Sequence, residues 1–128
     1  MKFSVSQSDI VFEIPDDWWS FTEASAVRPG VYYRYQQAIP DLVIPAPLIE
    51  VEPPRRDLGA IWFRKYKMCP VLFAFASPEC ALPPVWVNRL PPGGQYKFRV
   101  ANGFHRFYAS VAVGYADLPT LVHPEAQL

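Results

Sequence analysis

Fifteen prolines in 128 residues set the strongest limit on what this chain can fold into. Proline lacks an amide hydrogen and its ring clashes with the preceding helical turn, so helices must be short and strands must end at rigid turns. The pairs Pro53-Pro54, Pro83-Pro84 and Pro91-Pro92 mark such breaks. A hydrophobic share of 51% still supplies a core, so the chain is globular and not disordered. Its length fits one domain.

Between the breaks, periodicity assigns the elements. "KFSVS" and "DIVFEI" alternate apolar and polar residues and read as two strands, paired as a hairpin through Gln7, Ser8 and Asp9. "PDDWWSFTEA" opens with a proline and two acids and reads as a short helix. Residues 28–47 lack periodicity and read mostly as loop. Leu48 to Val51 reads as a short strand closed by Pro53-Pro54. "IWFRKYKM" is ambiguous. "CPVLFAFAS" reads as a helix with Pro70 in its first turn and Val71, Leu72 and Phe75 on one face. "VWVNRL" and "YKFRVA" are strands joined by a Pro-Pro-Gly-Gly turn. Asn102 and Gly103 make a tight turn into a helix from His105 to Val113, closed by Gly114. "LPTLVH" returns as the last strand. The order predicts a small α+β domain with no internal repeat.

Twelve basic and twelve acidic residues cancel, so an anion site must be local. The first ten residues lack a basic start followed by an apolar run, and no apolar stretch approaches the roughly 20 residues of a membrane span. The expectation is a cytoplasmic protein without a membrane partner. Cys69 and Cys80 are too few for a disulfide scaffold and read as free buried thiols. No clustered histidines or paired cysteine motifs suggest a metal site.

The stretch "ANGFHRFYAS" carries the chemistry. A strand that turns through glycine into a helix aims backbone N–H groups at one spot, and the helix end adds partial positive charge. Arg106 offers a fork of donors suited to phosphate or carboxylate, and His105 can donate a hydrogen bond or take a proton. Gly103, His105 and Arg106 are therefore a candidate anion cradle. The competing reading is a histidine and an arginine that merely cap the helix.

"YKFRVANGFHRFYASVAVGYADLPTLV" resembles the signature of the ParB N-terminal and sulfiredoxin-like superfamily: strand, G-x-H-R box, small-residue helix, glycine, and a strand opened by proline. "ALPPVWVNRL" looks like the strand before that box, and "PLIEVEPPRRD" with "MCPVLFAFAS" looks like the first box and first helix. The resemblance covers residues 42–123. Residues 1–41 have no counterpart and are expected to pack on the core as an extension, and residues 124–128 are expected to be a tail. The resemblance implies a nucleotide-binding, phosphate-gripping domain, with NTPase or phosphotransferase chemistry among related proteins. Its implied ligand is a nucleoside triphosphate with Mg2+. Gly103, His105 and Arg106 match the box, Asn102 takes its polar position and Phe104 its variable one. Arg55 and Arg56 match the first box more loosely, and Glu52 or Asp57 would hold the metal or act as base. Phe104 stands where sulfiredoxin chemistry needs cysteine, so that activity is rejected. The chain ends about five residues past the last strand, without the helix-turn-helix of a partition protein, so a centromere-binding role is rejected too.

Other residues divide between function and packing. Arg55-Arg56-Asp57 reads as a substrate loop or a solvated turn. Trp62-Phe63 and Trp18-Trp19 can stack a base or fill the core, and the core is the commoner use. "FRKYK", residues 63–67, has a nucleic-acid texture but only three charges, so nucleic acid ranks below a nucleotide. His123 reads as an exposed end residue. The alternative to nucleotide binding is a non-catalytic interaction factor, accessory or immunity-type, in which the box survives as a structural joint and the partner is a protein.

Overall fold

In the computed structural model, which describes residues 1–36, 42–55, 61–79 and 81–124, short strands and three helices form a small α+β fold. Strands β1 (Lys2–Ser4) and β2 (Val11–Glu13) pair antiparallel as the expected hairpin, with Phe3 opposite Phe12. Its turn is closed by the Val5 amide donating to the Ile10 carbonyl at 3.0 Å. Helix α1 (Asp16–Phe21) follows Pro15, and two acids in its first turn suit the positive end of the helix dipole.

The main sheet has five strands in the order β3-β7-β5-β6-β4. They are β3 (Ile44–Pro47), β4 (Val51–Glu52), β5 (Val85–Arg89), β6 (Phe98–Asn102) and β7 (Asp117–Val122). The pairs β3–β7 and β5–β6 are antiparallel, and β5–β7 and β4–β6 are parallel. The sheet is thus mixed. Leu118, Pro119, Thr120 and Leu121 of β7 are all buried, which identifies a strand covered on both faces.

Two expectations change here. Residues 44–47 are a strand although they read as loop, because prolines are tolerated at a sheet edge. Pro45 faces Pro119, a position where neither residue has an amide to offer, and Pro119 lies one residue before the register with β5 begins. The strand read at Leu48–Val51 is instead one turn of 3₁₀ helix, Leu48–Glu50, leading into the two-residue β4. Contacts from outside fix that turn: Leu48 N–H donates to Ala116, and Lys97 N–H donates to the Glu50 carbonyl.

Helix α2 (Lys65–Ala76) starts before Cys69, so Pro70 lies inside it and not in its first turn. The helix can begin early because the Arg64 carbonyl accepts from the Lys67 and Met68 amides at 3.0 and 2.8 Å. Met68 and Leu72 are fully buried, with Cys69 and Val71 beside them. Helix α3 (Phe104–Val113) buries Phe107, Tyr108 and Ala109, and Gly114 closes it in the left-handed region at φ +104°. There Gly114 and Tyr115 both donate to the Ser110 carbonyl, as a glycine-terminated helix requires. The core is one cluster that runs from Phe12 and Ile14 of the N-terminal third to Val85, Val87 and Leu118 of the sheet.

Candidate functional site

Each polar residue in the first turns of α3 holds a different neighbouring segment. Gly103 turns the chain at φ +134°, with Val85 packed against the space its side chain would need. His105 is buried, and its Nε2 accepts the Arg64 amide at 3.1 Å, which ties α3 to the start of α2. An accepting Nε2 carries no proton, so this contact also sets the tautomer. Arg106 donates through Nη1 to the Pro83 carbonyl at 2.7 Å and the Pro84 carbonyl at 3.0 Å. Tyr108 donates its hydroxyl to the Pro54 carbonyl at 2.6 Å, and Tyr33 does the same to Pro83 at 2.6 Å. Both tyrosines are buried, and burial pushes both phenols well above their usual range, against a smaller opposing effect of Arg106 on Tyr33 and of Arg55 on Tyr108. The Pro53-Pro54 and Pro83-Pro84 breaks are thereby anchored to the interior.

These braces frame a cleft of about 890 Å³, within the size range of small-molecule sites. One wall is the loop after β4, with Pro54 and Arg55. The second is the approach to α2 and its first turns, with Trp62, Arg64, Tyr66 and Lys67. The third is the end of β6 and the start of α3, from Val100 to Arg106. Arg55, Arg64, Lys67 and Arg106 all line it, and no described lining residue is acidic. Arg55 has a loose ion pair with Asp9 at 3.8 Å, outside the lining, where the carboxylate is almost fully exposed and of little energetic weight. Helices α2 and α3 both begin at the cleft, and helix starts carry partial positive charge. A chain of zero net charge thus concentrates four cationic side chains at one depression.

Of the residues singled out from sequence, Asn102, Gly103, Phe104, His105, Arg106 and Arg55 meet in this cleft. Glu52 does not line it. That carboxylate pairs with Arg99 at 3.4 Å across β4 and β6, beside a separate depression bordered by Leu90 and Tyr96. Arg56, Asp57 and Cys80 lie outside the described residues. Cys69 is a free buried thiol, raised in pKa chiefly by burial. His123 is exposed and stacks on Trp86, with ring centroids 4.5 Å apart. The cleft also gathers Trp62, Arg64, Tyr66 and Lys67, most of which read in sequence as a separate basic-aromatic run. Their signal was that texture, and only the fold joins it to the G-x-H-R box.

The lining donors match phosphate oxygens. Among the described residues no group of three or more histidines, cysteines or carboxylates stands ready for a metal ion, and the described lining of the cleft offers Mg2+ no carboxylate. No described helix is long and apolar enough to cross a membrane. No protein-family model matches the chain, and neither does any curated protein sequence.

Proposed function

We propose that the cleft binds a nucleotide by its phosphates, in a domain of the ParB and sulfiredoxin-like kind. One observation carries the reading: Arg55, Arg64, Lys67 and Arg106 converge at two helix starts with no described acid among them. Such a site attracts anions, and guanidinium groups favour phosphate geometry. The G-x-H-R resemblance supports the same ligand. Arg106 braces Pro83 and Pro84, so Arg55, Arg64 and Lys67 carry the phosphate contacts. The reading is of binding, and no catalytic base enters it.

The test is a thermal titration with ATP, CTP, GTP and inorganic triphosphate, with and without magnesium. A ligand at a hundred times its dissociation constant adds roughly 2.7 kcal/mol of stability. Lys67→Glu, an exposed reversal, is expected to abolish the rise in Tm without changing the Tm of the ligand-free protein. No rise with any of the four at millimolar concentration overturns the reading. It would favour the interaction factor, whose one supporting feature is the exposed Phe21–Phe73 pair, with rings 5.1 Å apart across α1 and α2.

A further inference from the structure

The Trp62-Phe63 pair, which sequence treats as a unit, is divided by the fold. Phe63 is 9% exposed and packs against Phe12, Phe104, His105 and Tyr108. Trp62 is 47% exposed and lines the cationic cleft. The division has a simple cause. Arg64 is extended, at φ −91° and ψ 128°, and side chains on an extended segment alternate between faces. Once Phe63 points into the core, Trp62 and Arg64 share the opposite face. The Arg64 guanidinium accordingly lies 5.2 Å from the centre of the Trp62 ring, a cation–π distance. The segment is also fixed in place, because the Arg64 amide is held by His105. A large aromatic ring is therefore presented to the cleft, among cations, by a backbone that core packing anchors.

We propose that Trp62 is the base-stacking residue of this site and determines its specificity: the ligand is a nucleoside phosphate and not a bare phosphate. This rests on the phosphate-binding reading above and adds the aromatic half of the ligand. Positive side chains disfavour cationic aromatics, so the ring that stacks here belongs to an anion. A cleft of about 890 Å³ suits a single nucleotide. Four cationic side chains give too little backbone neutralisation to hold a long strand firmly at physiological salt. Stacking tolerates any base, because every base has a π-face.

The experiment compares ATP with inorganic triphosphate by calorimetry, on the wild-type chain, Trp62→Leu and Trp62→Phe. Wild type is expected to bind ATP about tenfold or more tighter than triphosphate, the usual worth of one stacked base. Trp62→Leu should erase that preference by weakening ATP far more than triphosphate, whose affinity falls only as far as the Arg64 guanidinium loses its ring contact. Trp62→Phe should restore most of it. Equal affinity of wild type for the two ligands overturns the proposal while leaving phosphate binding intact, and so does a preference that survives in Trp62→Leu. Binding of neither ligand overturns both readings. A single-stranded oligonucleotide of about twelve residues that binds tighter than ATP also overturns it, in favour of a strand as the ligand.

Discussion

A Cβ added to Gly103 would lie 2.7 Å from Val85 Cγ1 and 2.8 Å from Cγ2, and the residue holds φ at +134°. Backbone strain and overpacking therefore act together. Gly103→Ala is expected to destabilise the fold by about 2–4 kcal/mol, measured as a lowered urea midpoint. Gly93→Ala supplies the control, because Gly93 has φ +96° but nothing within 4 Å of an added Cβ. Backbone strain alone should make that change cost about 1 kcal/mol. Equal losses at the two positions would show that Val85 yields and that close approach is not what demands glycine. The box was legible in sequence as a strand, a glycine turn and a helix. The partners of its side chains were not. His105 meets an amide 41 residues away, and Arg106 meets carbonyls 22 and 23 residues away. Local spacing has no access to such pairings.

At the scale of elements, sequence located the hairpin, α1, β5, β6, α3 and β7, all of which have local periodicity or a cap. It mislaid β3 and the start of α2, where proline sends a local signal that tertiary contacts override. In α2, Pro70 is exposed on the cleft wall and is the sixth residue of the helix. Its ring leaves the Tyr66 carbonyl without the amide that an ordinary residue would supply. Pro70→Ala restores that donor. The gain is reduced by the greater freedom of the unfolded chain, so a net stabilisation of about 1–2 kcal/mol is expected. The check is a paired urea titration of wild type and variant. A lowered midpoint would mean that the ring contributes packing that outweighs the missing hydrogen bond. Under the proposed function, the same variant should keep the ATP-induced rise in Tm, since the donors proposed for phosphate lie on other side chains.

For the molecule as a whole, two phenols link distant parts of the chain and confer a pH dependence. Phe12 of the N-terminal hairpin meets Tyr108 of α3, with ring centroids 5.0 Å apart, and Tyr108 in turn holds the Pro54 carbonyl. Tyr33 holds Pro83, which Arg106 also grips. Tyr33 and Tyr108 are 1% and 0% exposed, and burial raises both phenols far above the ordinary value of about 10. The sign follows from linkage. Below about pH 10 both states keep these protons, and the contribution to stability is fully present. Above it the unfolded chain releases protons that the folded chain retains. Stability then falls by up to about 1.4 kcal/mol per pH unit for each tyrosine, until the folded phenols ionise. In Tyr108→Phe, loss of the hydrogen bond to Pro54 should cost about 1 kcal/mol at pH 7. The variant also lacks one of the buried groups that drive the alkaline loss, while Tyr33, Tyr115 and Cys69, all raised by burial, remain. Its stability curve should therefore start below the wild-type curve and approach it between pH 10 and 11.5, in urea melts at fixed ionic strength. Curves that stay parallel across that range would show that the Tyr108 hydroxyl ionises as readily in the folded protein as in the unfolded chain, and hence that water reaches the joint between α3 and the Pro53-Pro54 turn.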